Sequence, residues 1–125
     1  MKNSLNHRAR ILIVEDEPLI ALDLEGMLLD ADFEVMDIAG TMEKALIIIE
    51  IGKLDAVLLD ANLIGVSSAP VAIALAERGL PFLVLSGYAA DQQPEAFRAG
   101  SYLQKPASPV QIIKLLNDIL SEKQS

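Results

Sequence analysis

The chain has 125 residues, which is enough for one domain with its own core and too few for two. Hydrophobic residues make up 52% of it, and this fraction predicts a packed globule rather than a disordered segment. Ten basic residues against eighteen acidic ones give a net charge of −8, which argues against direct binding to the phosphates of nucleic acid. No apolar run approaches the roughly 20 residues that cross a bilayer, so we expect no membrane partner.

The missing residue types narrow the chemistry further. The chain contains no cysteine, which excludes disulfides, thiolate zinc sites and a thiol nucleophile. Its only histidine, His7, lies near the start of the chain, so we expect no histidine-based triad. Any chemistry must therefore use carboxylates, hydroxyls and lysine, and any metal should be a hard ion such as Mg²⁺.

The start of the chain is basic, as in a signal peptide. Here, however, the apolar stretch 11–14 is followed at once by the three acidic residues 15–17, which no signal peptide pattern contains. We therefore expect residues 1–9 to be a flexible leader, residues 10–121 to form the domain and residues 122–125 to be a tail. The expected location is cytoplasmic.

Short runs rich in leucine and β-branched residues alternate with helical patterns along the whole chain. This alternation predicts an α/β fold, in which right-handed crossovers place helices on both faces of a parallel, doubly wound sheet. Such a sheet binds ligands beyond the C-terminal ends of its strands. The predicted strands are residues 10–15, 33–38, 54–59, 81–85 and 101–104.

Capping residues mark the predicted helices. Pro18 suits a first turn, Thr41 is a typical N-cap, and Gly52 ends the second helix. Ser67 or Ser68 opens the third helix, and the fourth is short and weak. The predicted helices are residues 18–31, 41–50, 67–79, 94–99 and 108–121.

Five polar side chains follow predicted strands. Glu15 and Asp16 follow the first strand, Asp60 the third, Ser86 the fourth and Lys105 the fifth. Because parallel strands end at the same edge of a sheet, we expect three acids, one hydroxyl and one ammonium to converge there.

Each of these residues also has a simpler interpretation. Asp16 could cap the following helix, Ser86 could be a turn residue, and Lys105 could be a solvated loop lysine. Asp60 is harder to explain in this way because it directly follows the apolar run 57–59. An unpaired buried charge there would cost several kcal/mol, and a nearby cation removes that cost.

Together the five residues fit phosphoryl transfer. Asp60 would be the nucleophile, and Asp16 directly and Glu15 through water would hold Mg²⁺. Lys105 would supply a second positive charge, and the Ser86 hydroxyl would bond a phosphoryl oxygen.

The segments ILIVEDE, VLLDANL, LSGY and YLQKP resemble, in order and spacing, the four signature blocks of response-regulator receiver domains. The resemblance runs from about Arg10 to Ser121. It implies the CheY-like, flavodoxin-like three-layer fold with five strands in the order 2-1-3-4-5. It also implies a two-component signalling switch that takes a phosphoryl group from a sensor histidine kinase or a histidine phosphotransfer protein and acts on a downstream protein. Such a switch catalyses only its own phosphorylation and dephosphorylation.

The resemblance also implies three finer features. The main-chain carbonyl of Asn62 would join the Mg²⁺ ligands, and the Lys105–Pro106 peptide would be cis, aiming the ammonium at the site. The segment PFLVLSGY resembles a subgroup of mostly stand-alone receivers whose fourth strand ends Phe-Ala-Thr-Gly-Tyr. This chain departs from that pattern at Leu85 and Ser86.

Two predictions concern signalling. On phosphorylation, Ser86 would move toward the new oxygens and Tyr102 would turn into the vacated space, unless Tyr102 is only a half-buried strand aromatic. The last helix carries a second apolar stripe, formed by Ile112, Leu115 and Ile119, which we interpret as an interaction face for a homodimer or another partner.

Other functions remain as alternatives. A phosphatase of the haloacid dehalogenase type also uses an aspartate nucleophile at a strand end, but it has an acid two residues later, where this chain has Asn62. A receiver-like interaction module that is never phosphorylated is a further alternative. A stand-alone protein and a domain cut from a longer regulator would look the same in this sequence.

Overall fold

The computed structural model describes residues 7–124. Five strands form one sheet, and two very short strands form an additional antiparallel hairpin that the sequence did not predict. The sheet strands are β1 (Arg10–Val14), β2 (Glu34–Ala39), β3 (Ala56–Asp60), β6 (Phe82–Ser86) and β7 (Ser101–Gln104). The hairpin strands are β4 (Asn62–Leu63) and β5 (Val66–Ser67).

Four α-helices and two 3₁₀-helices connect the strands. The helices are α1 (Pro18–Asp30), α2 (Met42–Ile51), α3 (Ala69–Glu77) and α4 (Pro109–Gln124). The weak fourth helix of the sequence analysis is the second of two 3₁₀-helices, Ala90–Gln92 and Glu95–Ala99.

The predicted caps of α2 are present. The Thr41 hydroxyl accepts a hydrogen bond from the Lys44 backbone N–H at 3.1 Å, which satisfies one of the unpaired N–H groups of the first turn. Gly52 ends the helix with φ 87°, a left-handed conformation that glycine adopts without strain.

The sheet is parallel throughout, with the order β2-β1-β3-β6-β7, so the order 2-1-3-4-5 implied by the resemblance is confirmed. The central strands are buried on both faces, which explains their unbroken apolar sequences. One core lies between the sheet and α2, α3 and the second 3₁₀-helix. The other lies between the sheet and helices α1 and α4, which completes the three layers.

The predicted leader is wrong for its last residues. Ala9 is 1% exposed, and its carbonyl accepts a hydrogen bond from the Glu34 backbone N–H at 2.8 Å. His7 contacts the Asp55 carboxylate at 3.0 Å. The packed domain therefore begins before β1, and residues 1–6 lie outside the described part of the chain.

The interaction face predicted on the last helix is also wrong. Ile112 and Ile119 are buried at 4% and 7% exposure in the core beneath α4, and Leu115 packs against that core. The residues of the predicted stripe are therefore used within the domain, whereas Val110, also in α4, is 78% exposed. The helix continues to Gln124, so the predicted tail is largely helical.

Exposed apolar side chains lie elsewhere. Leu19, Leu22 and Leu29 of α1 and Ile47 and Ile51 of α2 are among the large apolar residues that face solvent. Within residues 7–124, no helix combines the length and the apolar character needed to cross a bilayer.

Candidate functional site

Three carboxylates meet at the C-terminal edge of the sheet. Glu15 and Asp16 directly follow β1, and Asp60 is the last residue of the neighbouring strand β3. One carboxylate oxygen from each of the three lies within 4.8 Å of the other two. The structure thus brings together the three acids that the sequence analysis singled out. Hard oxygen donors at this spacing can hold a divalent cation such as Mg²⁺.

Glu15 is the most deeply buried of the three acids, with 3% exposure. The pKa of its carboxyl is raised from 4.5 to about 7, chiefly by burial and in smaller part by the nearby Asp60 carboxylate. A hydrogen bond from the Glu17 backbone N–H to the Glu15 carboxylate, 3.1 Å long, acts in the opposite direction. The pocket therefore concentrates negative charge that a cation would stabilise.

Asp16 does not cap α1. The N-cap position belongs to Glu17, and no side chain there makes a capping hydrogen bond. The simpler interpretation of Asp16 therefore does not hold, and its carboxylate faces the other two acids instead.

Lys105 brings a positive charge to the same pocket. Its Nζ atom lies 3.5 Å from Oδ1 of Asp60, whose side chain is 12% exposed. The same Oδ1 accepts a hydrogen bond of 3.4 Å from the Asn62 backbone N–H. The backbone N–H of Lys105 donates to the Ser86 carbonyl at 2.6 Å, which anchors the lysine beside β6. The Lys105–Pro106 peptide is cis, as the resemblance implied.

Ser86 ends β6 and is 1% exposed. Its Oγ accepts hydrogen bonds from the Tyr88 backbone N–H at 3.0 Å and from Nε2 of Gln93 at 3.4 Å. The half-buried Tyr102 donates its hydroxyl to the Tyr88 carbonyl at 2.7 Å. Ser86 and Tyr102 therefore both bond to the backbone of one residue, Tyr88.

Ser68 has a role that the sequence does not predict, since the pattern there indicates only a possible helix cap. Ser68 occupies the N-cap position of α3 but makes no side-chain capping bond. Its fully buried hydroxyl donates to the Asp60 carbonyl at 2.6 Å, and its backbone N–H donates to the Ala61 carbonyl at 2.8 Å. These bonds close the β4–β5 hairpin against the end of β3 and thereby fix the backbone that carries Asp60. No local signal in the sequence distinguishes such a serine from a cap.

The fold and the site together define a class of protein. A parallel sheet in the order 2-1-3-4-5 binds ligands at the carboxyl ends of its strands. Here that edge carries a cluster of three acids, a lysine beside one of them and a buried hydroxyl. This combination is that of a receiver domain.

Comparison with known proteins supports the assignment to the receiver domain class. The sequence profile of the response regulator receiver domain matches residues 11–117, and the chain belongs to this family. The chain is 33% identical over 103 residues to the transcriptional regulatory protein PdtaR of two Mycobacterium tuberculosis strains. That match covers 79% of this chain but 50% of PdtaR, so the chain spans about half the length of these curated relatives.

Solved structures show the same similarity. The solution structure of SdrG from Sphingomonas melonis Fr1 is 41% identical, with a TM-score of 0.78, and the match covers 93% of this chain and 99% of SdrG. The BeF3-activated conformation of SdrG is 40% identical, with a TM-score of 0.76 over 93% and 99% of the two chains. A CheY-like receiver domain from Methanospirillum hungatei JF-1 has a TM-score of 0.81 at 26% identity, over 94% and 99% of the two chains.

Proposed function

We propose that this receiver domain accepts a phosphoryl group on Asp60 and thereby switches a protein-interaction surface. The observation that carries the proposal is the meeting of three carboxylates with the Lys105 ammonium at one edge of the sheet. Glu15 and Asp16 can serve purely as metal ligands. Asp60 lies beside the Lys105 ammonium, so we assign it as the phosphoryl acceptor.

The acid cluster fits Mg²⁺, since the ion prefers oxygen ligands and relieves the repulsion among the carboxylates. Glu15, Asp16, Asp60 and the main-chain carbonyl of Asn62 would hold it. When bound, Mg²⁺ neutralises charge on the transferring phosphoryl group and on Asp60.

The transfer itself needs little from the protein beyond position and charge. A carboxylate oxygen of Asp60 attacks the phosphorus, a new O–P bond forms, and the bond from phosphorus to the donor nitrogen breaks. The electron pair of the broken bond stays on the donor imidazole. The Lys105 ammonium stabilises charge on the phosphoryl oxygens, and the Ser86 hydroxyl donates a hydrogen bond to one of them.

The partners follow from the family. Receiver domains are phosphorylated by histidine kinases or phosphotransfer proteins, and we propose one of these as the donor here. The output passes to a downstream protein through movement of Ser86 and Tyr102. A cytoplasmic location is part of the proposal.

Mass spectrometry of the intact protein tests the acceptor. After incubation with Mg²⁺ and acetyl phosphate, the wild type should gain one phosphoryl group, and Asp60→Asn should gain none. Asp118→Asn is a matched control, because Asp118 is an exposed acid that pairs with Lys114 on α4. Labelling of Asp60→Asn equal to that of the wild type would show that another residue is the acceptor. Sustained turnover of a phosphate ester would favour the phosphatase alternative instead.

A further inference from the structure

The hydroxyl of Ser86 has an unusual set of partners. A serine hydroxyl offers two lone pairs as acceptors and one proton as donor. Both lone pairs of Ser86 Oγ are engaged, one by the Tyr88 backbone N–H at 3.0 Å and the other by Nε2 of Gln93 at 3.4 Å. Among residues 7–124, no acceptor is found for the hydroxyl proton. Because Ser86 is 1% exposed, this proton is a buried donor that still has an acceptor to gain.

The strand register places this donor beside the acceptor residue. Asp60 pairs with Leu85, the residue before Ser86, and the Leu85 carbonyl accepts a hydrogen bond from the Ala61 backbone N–H at 2.9 Å. The ends of β3 and β6 therefore lie side by side. A phosphoryl group on Asp60 would bring strong acceptor oxygens to the edge where the Ser86 proton lacks one.

We infer that Gln93 is a positioning residue for phosphoryl transfer, acting through Ser86. By donating to Ser86 Oγ, Gln93 leaves the hydroxyl able to act only as a donor, which is what phosphoryl oxygens require. The inference rests on the proposed function of Asp60. Gln93 lies outside the four sequence blocks that resemble the family signature, between the LSGY and YLQKP segments.

The backbone around Gln93 holds it in reach of Ser86. Gln93 follows the 3₁₀-helix Ala90–Gln92, and its backbone N–H donates to the Ala90 carbonyl at 3.1 Å. The neighbouring Gln92 has a different task. Its Oε1 accepts from the Ala89 backbone N–H at 3.2 Å, and it makes no hydrogen bond to Ser86. Two adjacent glutamines thus provide a matched pair, in which only one contacts the hydroxyl.

Substitutions at Gln93 separate the donor role from simple packing. Gln93→Ala removes the donor. Gln93→Glu keeps the size and shape of the side chain, but a carboxylate is only an acceptor and would take the Ser86 proton for itself. Gln92→Ala and Gln92→Glu repeat the truncation and the added charge one residue away, and Gln92→Glu retains the acceptor for the Ala89 N–H.

The measurement is the affinity for beryllofluoride at saturating Mg²⁺, together with the rate of phosphorylation by acetyl phosphate. We expect Gln93→Ala to weaken beryllofluoride binding about three- to tenfold, the range of one hydrogen bond, and Gln93→Glu to weaken it more. Both Gln92 variants should stay within about twofold of the wild type. In a Ser86→Ala background, Gln93→Ala should have no further effect, because it acts only through the hydroxyl.

Three results would overturn the inference: wild-type affinity in Gln93→Ala, an equal loss in Gln92→Ala, or an undiminished Gln93→Ala effect in the Ser86→Ala background. Thermal unfolding of each variant checks that the fold is retained. Failure of the proposed function is distinguishable, since then the wild type itself would not be labelled by acetyl phosphate. A wild type that is labelled, with an unchanged Gln93→Ala, overturns only the role of Gln93.

Discussion

At the scale of single residues, Glu15 is the buried member of the acidic cluster at the sheet edge. Its carboxyl is almost completely buried beside Asp60, and burial raises its pKa to about 7. A carboxylate in such a place is costly without a positive partner. Divalent metal would offset that cost, so the residue links metal binding to folding stability.

This gives a prediction for the dependence of stability on pH in the absence of metal. Between pH 4.5 and about 7, the folded state keeps a proton on Glu15 that the unfolded state has released. The free energy of unfolding should therefore fall as pH rises through this window, by up to about 3 kcal/mol. Urea unfolding in EDTA across the window should show the decline in the wild type and a flatter profile in Glu15→Gln. An equally steep decline in Glu15→Gln would assign the effect to other groups.

Ser68 makes a complementary point about single residues. A buried hydroxyl bonded to the Asp60 carbonyl at 2.6 Å fixes the backbone of Asp60 without contacting its carboxylate. Such a serine stabilises the backbone on which the site is built. Loss of one buried hydrogen bond of this kind typically lowers the free energy of unfolding by about 1 kcal/mol.

At the scale of elements, two glycines differ in the space around them. Gly100 lies between the second 3₁₀-helix and β7, where an added Cβ would lie 2.5 Å from side-chain atoms of Phe82 and 2.7 Å from its carbonyl oxygen. Phe82 is buried at 1% exposure and cannot easily move. Gly26 lies within α1, and an added Cβ there meets nothing within 4 Å.

The two positions should respond to alanine in opposite directions. Gly100→Ala should lower the free energy of unfolding by about 1 to 3 kcal/mol, because the core must shift to admit a methyl group. Gly26→Ala should raise it by about 1 kcal/mol, because alanine favours the helix. Chemical denaturation of both variants measures the difference. A Gly100→Ala variant as stable as the wild type would show that the Phe82 side chain can move aside at little cost.

Secondary structure also follows local rules at this scale. Thr41 caps α2 and Gly52 ends it as the sequence predicts, since both act on neighbouring backbone groups. The weak segment around residues 94–99 forms only a 3₁₀-helix, consistent with its poor helical pattern.

At the scale of the whole molecule, stability should be uneven. Strands β1 and β3 are buried on both faces, whereas the residues between β6 and the second 3₁₀-helix are mostly exposed and make few hydrogen bonds to the rest of the chain. We therefore expect backbone amides of residues 89–93 to exchange hydrogen much faster than those of the central strands. Mg²⁺ with beryllofluoride should slow exchange in this segment, since the Ser86 hydroxyl would bind the ligand and Gln93 would stay bonded to that hydroxyl. Exchange as slow as in β3 before ligand is added would contradict this expectation.

The sequence alone determined the features that depend on local pattern and on the order of elements. Alternating strands and helices indicated the α/β class, and the positions of Glu15, Asp16, Asp60 and Lys105 after strands indicated which side chains meet, because parallel strands end at one edge. The resemblance to receiver domains added the strand order, which the structure and its CheY-like neighbours confirm.

Only the tertiary structure decided how surfaces and hydroxyls are used. The sequence could not show that Ile112 and Ile119 are buried, since the width of a helix's core face depends on how closely the sheet packs beneath it. Nor could it show that Ser68 bonds the Asp60 carbonyl and that Gln93 bonds Ser86. These contacts join residues seven or eight positions apart across turns whose path is set by packing, and serine or glutamine in a loop carries no local signal of its distant partner.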